Sequence, residues 1–132
     1  MSNEQYLAIL DLGSNSVRLK ITKIQDNGSF ETVQYEKRYV RLASNMGPEK
    51  MLKSAPVKRT IDALKEFRTI CDRYRNKKLT IIAVATAAVR QAQNQLQFLE
   101  KVKQETGFEI HVISGEREAY LDYVGVNQTL PI

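Results

Sequence analysis

The sequence predicts an α/β domain built on a five-stranded mixed sheet, with an opening three-stranded meander and helices on both faces. Two observations carry this prediction. Three strand-like apolar segments separated by turn residues come first, and helical periodicity then alternates with short apolar strands. That order favours right-handed crossovers that return the chain to one sheet beneath its helices. At 132 residues the chain has the length of one domain.

The first half of the chain reads as a meander. Tyr6–Leu10 is apolar enough for a buried strand, and Val17–Ile21 alternates like a half-buried one. Asp26-Asn27-Gly28-Ser29 predicts a turn into a third strand from about Phe30 to Leu42. Ala43–Ser54 contains Asn, Gly and Pro and is expected to be a loop.

The second half alternates helices and strands. A first helix is predicted from residues at helical spacing, Val57, Ile61, Leu64, Phe67, Cys71 and Tyr74, with Pro56 in its first turn. Leu79–Ala85 is apolar throughout, as in a parallel strand buried on both faces. Asn94 is placed to cap a second helix that ends at Gly107, and Glu109–Ile113 is a short strand. A last helix is expected from Ser114 and Gly115 onward, with Ala119, Tyr123 and Val126 on one face.

Composition limits the cellular setting. A single cysteine, Cys71, excludes an internal disulfide and lies on an apolar helical stripe, which favours a buried thiol in a reducing compartment. The polar N-terminus does not resemble a signal peptide, and the first apolar run is too short to span a bilayer. We therefore expect a cytoplasmic protein without a membrane partner.

The formal net charge is +5, and much of the excess is central: Lys37, Arg38, Arg41, Lys50, Lys53, Lys58 and Arg59. A basic surface attracts anions such as polyphosphate, nucleic acid or anionic lipid, and it can equally be a solvated face without a ligand. Nucleic acid is the weaker expectation because the sequence has no helix-turn-helix, RNA-binding or zinc-finger signature.

The segment Asp11-Leu12-Gly13-Ser14-Asn15-Ser16 joins the first two predicted strands and is a candidate phosphate-binding turn. Gly13 permits a positive φ, and Ser14, Asn15 and Ser16 add side-chain donors to the backbone N–H groups. Such a concave set of donors suits a phosphate oxygen, and Asp11 could hold a hydrated Mg²⁺ beside it. The turn is not a Walker loop, because G-x-x-x-x-G-K-[ST] is absent. The alternative is an ordinary polar hairpin turn.

Two further positions are candidates on their own residue chemistry. Arg90 follows a buried strand, where the ligands of open α/β sheets gather, and its guanidinium can grip a phosphate or simply face solvent. Thr86 is placed to cap the following turn or to touch a phosphate. Arg18 is expected to point away from the core and to be solvated. The single histidine, His111, is expected to be an exposed strand residue, which leaves no zinc site or Ser-His-Asp triad.

Three ordered motifs resemble the exopolyphosphatase and guanosine pentaphosphate phosphohydrolase (Ppx/GppA) family. The first is Asp11-Leu12-Gly13-Ser14-Asn15-Ser16-Val17-Arg18-Leu19, the second is Ala85-Thr86-Ala87-Ala88-Val89-Arg90-Gln91-Ala92 with Asn94, and the third is Ile113-Ser114-Gly115-Glu116-Arg117-Glu118-Ala119. The resemblance implies a ribonuclease H-like lobe of the actin-like ATPase superfamily. It also implies a second lobe with an Asp-x-Gly-Gly-Gly-Ser loop, a segment that this sequence lacks.

The resemblance also implies the roles of particular residues. Glu118 would be the carboxylate that activates water and Arg90 would contact substrate phosphate. Asp11 would help to hold Mg²⁺, and Gly13, Ser14, Asn15 and Ser16 would line the phosphate pocket. Arg117 departs from the family, where a second acidic residue is common. Glu116 lies about 200° from Glu118 around a helix, so the two do not form a carboxylate pair.

The function that follows is that of the N-terminal lobe of a Mg²⁺-dependent phosphoanhydride hydrolase. Its substrate would be inorganic polyphosphate or guanosine pentaphosphate, which the sequence does not distinguish. The lobe alone is expected to be nearly inactive, and its expected partner is the second lobe, with a second copy in a homodimer as a further candidate. The alternative is a non-catalytic module that binds polyphosphate or a guanosine alarmone.

Overall fold

The computed structural model describes residues 4–74 and 76–113 of the chain. Five strands form a single sheet, and three helices follow the opening meander. In chain order these elements are β1 (Gln5–Leu12), β2 (Ser16–Ile24), β3 (Phe30–Tyr39), α1 (Ser54–Asp72), β4 (Lys78–Ala85), α2 (Ala87–Gln91), α3 (Gln95–Thr106) and β5 (Ile110–Val112).

The strand order across the sheet is β3-β2-β1-β4-β5. β1 and β2 pair antiparallel, as do β2 and β3, so the first three strands are a meander. β1 and β4 pair in parallel, as do β4 and β5, so the sheet is mixed. The predicted five-stranded mixed sheet with its three-stranded opening is therefore confirmed.

The core lies between one face of the sheet and the helices. Leu10 and Leu12 of β1 and Leu19 of β2 point into it and are almost fully buried. They form one cluster with Leu64 and Phe67 of α1 and with residues of α3, among them Phe98 and Val102. Since α1 and α3 also contact each other, both lie on this face. The last predicted helix lies outside the described residues, so a helix on the opposite face stays a prediction.

Turns and helix ends follow the local signals in the sequence. Gly28 has φ +85° in the predicted turn, and Gly107 has φ +78° at the C-cap of α3. Both glycines hold left-handed conformations that side chains with a Cβ disfavour. β3 is shorter than predicted and ends at Tyr39, because the backbone of residues 40–43 turns to bond the first hairpin.

The single cysteine and the single histidine lie where the sequence pattern predicted them. Cys71 is buried in α1, and burial raises the pKa of its thiol to about 11. His111 is exposed on β5. Across residues 4–74 and 76–113, no helix combines the length and apolar character that a membrane span requires.

Candidate anion site at the carboxyl edge of the sheet

The ends of three strands meet at one edge of the sheet. Leu12 at the end of β1 pairs with Ala85 at the end of β4, and Ala85 pairs with Val112 at the end of β5. The chain beyond each strand is tied to its neighbour. The N–H of Thr86 donates to the carbonyl of Leu12 at 3.3 Å, and the N–H of Ile113 donates to that of Ala85 at 2.9 Å. The first and second sequence motifs are thereby held side by side, where open α/β sheets bind ligands.

The turn after β1 is a tight hairpin connection. The N–H of Gly13 donates to the carbonyl of Ser16 at 2.9 Å and closes the turn around Ser14 and Asn15. The expectation of a positive φ at Gly13 is wrong, because the described glycines with positive φ are Gly28, Gly47 and Gly107. Glycine is favoured at this position for space, since a Cβ there would lie in tight contact with the Ser16 carbonyl oxygen, at 3.2 Å.

Two adjacent N–H groups of the turn are left available for a ligand. Among the described residues, the N–H groups of Ser14 and Asn15 donate to no backbone carbonyl. Their carbonyls point to the other side and are satisfied there. That of Asn15 accepts the N–H groups of Val40 and Arg41 at 3.1 and 2.9 Å, and that of Ser14 accepts the N–H of Ala43 at 3.0 Å. Successive unpaired N–H groups with a fixed backbone form a concave anion-binding surface.

Asp11 pairs with Arg18 across the hairpin, in both strand register and side-chain contact. The Asp11 side chain is 9% exposed and the Arg18 side chain 46%. The prediction that Arg18 is simply solvated is therefore wrong. It does point away from the helices, but a buried carboxylate opposite it fixes its position. The position of the turn could have predicted this pair. In a two-residue hairpin centred between Ser14 and Asn15, residues equally far from that centre lie opposite each other.

The second carboxylate oxygen of Asp11 fits a role in holding a cation. Oδ2 contacts Arg18, whereas Oδ1 is buried and has no hydrogen-bond partner in the described part of the chain. A buried carboxylate oxygen without a donor is costly unless something else satisfies it. Mg²⁺ commonly binds through one or two carboxylates and keeps several waters, so a lone Asp suffices as its protein anchor. Within residues 4–74 and 76–113, no three acidic, His or Cys side chains cluster around a common point.

Thr86 lies between β4 and α2 and is buried. It occupies the N-cap position of α2, but its side chain makes no capping hydrogen bond, contrary to the capping expectation. The connection is made by the backbone, because the Thr86 carbonyl accepts the N–H of Arg90 at 2.8 Å. Whether its hydroxyl touches a phosphate stays a prediction.

Arg90 is exposed near the end of α2 and reaches the neighbouring strand end. Its Nη1 donates to the carbonyl of Ile113 at 2.9 Å. An arginine has five N–H donors, so this bond leaves most of the guanidinium for an anion. The contact also fixes the point where the third sequence motif begins. Glu116, Arg117 and Glu118 of that motif lie outside the described residues.

Residues 40–53, here called the bridging loop, connect the hairpin turn to the segment between α2 and α3. At one end the loop is bound to the carbonyls of Ser14 and Asn15. At the other end Asn94 holds it by a pair of bonds. Its Oδ1 accepts the N–H of Leu52 at 2.9 Å, and its Nδ2 donates to the Leu52 carbonyl at 3.0 Å. Asn94 therefore occupies the predicted N-cap position of α3, but its side chain bonds the bridging loop and makes no capping hydrogen bond.

The fold defines the class of the protein, since the described residues have the actin-like ATPase fold, with the candidate anion turn after the first strand. A non-polymerising MamK mutant bound to AMPPNP shares the fold alone, with a TM-score of 0.50 and 14% identity over 97% of this chain and 45% of that one. Residues 21–132 match the model of the Ppx/GppA phosphatase family. The chain belongs to the Ppx/GppA phosphatase family.

Individual relatives agree with this assignment. A bifunctional 3-dehydroquinate synthase/phosphatase from Fusobacterium nucleatum is 37% identical over 90% of this chain and 18% of its own length. A guanosine-5'-triphosphate,3'-diphosphate pyrophosphatase from Vibrio atlanticus is 41% identical over 92% of this chain and 24% of its own. The crystal structure of the Aquifex aeolicus Ppx/GppA family member superposes with a TM-score of 0.86 at 32% identity, covering 98% of this chain and 41% of that one. The chain thus spans about a fifth of those two curated relatives.

Proposed function

We propose that this chain is the N-terminal lobe of a Mg²⁺-dependent hydrolase that releases the terminal phosphate of inorganic polyphosphate or guanosine pentaphosphate. Two observations within the described residues carry the proposal: the N–H groups of Ser14 and Asn15 have no backbone acceptor there, and the Asp11 carboxylate of the preceding strand is buried. The N–H groups suit a phosphate oxygen and the carboxylate suits a cation. Together they fit a phosphate anion that binds as its metal complex.

Different residues of the chain would bind the phosphate and the metal ion. The N–H groups of the turn would hold non-bridging phosphate oxygens, and Gly13 lets the backbone close tightly enough to present them. Arg90 would place its remaining guanidinium donors on the same anion, since arginine matches phosphate with two parallel bonds. Asp11 Oδ1 would hold Mg²⁺, whose chemistry when bound is to neutralise charge on the phosphate oxygens.

The family resemblance supplies the role proposed for Glu118. A carboxylate base that orients water for in-line attack contributes roughly 10²–10⁴ in rate. Arg90 donates to the carbonyl of Ile113 at 2.9 Å, and Ile113 is the first residue of the motif that contains Glu118. The same contact would therefore keep the start of that motif beside the bound phosphate.

Catalysis by phosphoryl transfer depends on positioning and charge neutralisation from all sides of the substrate. We expect this lobe, which lacks the second glycine-rich phosphate loop, to bind polyphosphate weakly and to hydrolyse it very slowly. Because the attraction is electrostatic, the affinity should fall as salt is raised.

The decisive test is phosphate release from long-chain polyphosphate and from guanosine pentaphosphate in the presence of Mg²⁺. It would be measured on this chain and on a fusion that appends the second lobe of the Aquifex aeolicus relative. We expect release by the fusion, loss of release in its Glu118→Gln variant, and unchanged binding of either substrate by that variant. A fusion that binds tightly and turns over no substrate would indicate a sensing module instead. Equal affinity of the chain at low and high salt would contradict the electrostatic account.

A further inference from the structure

The bridging loop contains an unusual set of backbone conformations. Arg41, Asn45 and Lys50 have φ of +50°, +58° and +54°, and they are the non-glycine residues with positive φ in the described part of the chain. Asn adopts this conformation readily, but Arg and Lys do not. Left-handed backbone at residues with a full side chain is costly and clusters at ligand-binding sites.

Most of the central basic residues are already engaged. Arg38 pairs with Glu36 at 3.1 Å, Lys53 with Glu49 at 2.8 Å and Lys58 with Asp62 at 3.2 Å. Arg59 donates to the Val40 carbonyl at 3.0 Å, and the ammonium of Lys37 lies 4.9 Å from the ring centre of Tyr39. Within residues 4–74 and 76–113, Arg41 and Lys50 of this set have no ion pair and no side-chain hydrogen bond. They are the same two cations whose backbone is left-handed.

Arg41 is fixed next to the candidate phosphate turn. Its N–H donates at 2.9 Å to the carbonyl of Asn15, in the turn whose Ser14 and Asn15 N–H groups have no backbone acceptor among the described residues. The side chain of Arg41 is exposed, and its own backbone is bonded to the turn that carries the candidate anion site. The positive φ is thus found beside the candidate anion site, at a cation that pairs with no acidic side chain among residues 4–74 and 76–113.

We propose that Arg41 is a further substrate-binding residue, which contacts the phosphate chain at the hairpin turn, and that Asn94 positions it by holding the bridging loop. This inference rests on the proposed function, since it assigns a second cation to the same anion site. The candidate site would then include a residue of the bridging loop in addition to the residues at the strand ends.

The test is titration of tripolyphosphate with Mg²⁺ into the chain at low salt, with binding measured by calorimetry and by the amide chemical shifts of Ser14 and Asn15. We expect Arg41→Gly to weaken binding about tenfold, because it removes one charged hydrogen-bonding group. The same variant should unfold at a temperature no lower than the unsubstituted chain, since glycine relieves the positive φ. A merely structural role would lower both quantities together.

Lys58→Ala is the matched control, because it removes one exposed positive charge from a cation already paired with Asp62. It should change the affinity by less than a factor of two, and Asn94→Ala should weaken binding less than Arg41→Gly. If Arg41→Gly binds like the control while Gly13→Ala binds weakly, the role of Arg41 is overturned and the turn keeps its function. If the unsubstituted chain does not bind tripolyphosphate at all, the proposed anion site fails, and the role of Arg41 with it.

Discussion

Asp11 and Arg18 face each other across the first hairpin, and one carboxylate oxygen of Asp11 contacts the guanidinium while the other has no partner within the described residues. The pair is asymmetric, since the carboxylate is buried and the guanidinium is half exposed. Arg18 thus supplies the one positive charge in the described contacts of this buried acid, and the second oxygen has no hydrogen-bond partner among the described residues.

Arg18→Ala is expected to destabilise the domain by about 1–2 kcal/mol, because it strands a buried carboxylate, although solvent at the arginine softens the loss. Lys20→Ala removes a cation two residues along the same strand and should change stability by less than about 0.5 kcal/mol. Urea unfolding of both variants checks the difference. Equal midpoints for the two would show that the ion pair contributes nothing measurable.

Gly13→Ala and Gly28→Ala are expected to separate binding from folding. At Gly28 an added Cβ meets no atom within 4 Å, so the cost comes from φ +85° alone and is about 1 kcal/mol. At Gly13 the Cβ would press on the Ser16 carbonyl oxygen that closes the turn. Only Gly13→Ala should therefore weaken tripolyphosphate binding, as measured by calorimetry. Equal loss of affinity in both variants would argue against the turn as the anion site.

Arg90→Lys is expected to lower the affinity for tripolyphosphate about tenfold while keeping the charge, since a lysine cannot form two parallel bonds to one phosphate. Arg68→Lys is the matched control, because Arg68 pairs with Asp72 on α1. Thermal unfolding should be similar for the two variants. If both bind as the unsubstituted chain does, Arg90 serves only to hold the Ile113 carbonyl.

The thiol of Cys71 is expected to be inert at neutral pH. Burial raises its pKa to about 11, so folding favours the neutral thiol. The corresponding contribution to stability is complete below the ordinary thiol pKa near 9 and is lost as the pH rises towards 11. Urea unfolding from pH 8 to 10.5 should show a steeper decline for the native sequence than for Cys71→Ala. Labelling by a disulfide reagent at pH 8 should be slow until urea unfolds the chain, and rapid labelling in native buffer would contradict this account.

Local signals in the sequence predicted the sheet and its turns well. The apolar runs of β1 and β4, the helical stripe of α1 and the left-handed Gly107 each depend on residues close together in the chain. The hairpin turn between β1 and β2 was predicted for the same reason, although its glycine avoids a tight contact and does not adopt a positive φ; that the turn binds an anion stays a prediction. The Asp11–Arg18 pair was missed because alternation indicates which face a residue occupies and not which residue lies opposite.

Contacts between distant segments were beyond the reach of the sequence. Asn94 read as a helix cap, and its bonds to Leu52 span 42 positions of the chain. The end of β3 moved to Tyr39 because the next residues bond the carbonyls of Ser14 and Asn15, which are far away in sequence. The role of Glu118 stays a prediction, since it lies outside the described residues.

The hairpin turn is attached to the bridging loop entirely through main-chain carbonyls, so the attachment does not depend on which side chains the turn carries. Asn15, whose carbonyl accepts two of those bonds, is itself exposed. A dye coupled to an Asn15→Cys variant would therefore report on the occupancy of the turn without loosening it. Since Cys71 is the only cysteine of the chain and is buried, such a dye would attach at a single place. Under the proposed function, the labelled protein would serve as an optical sensor of condensed phosphates.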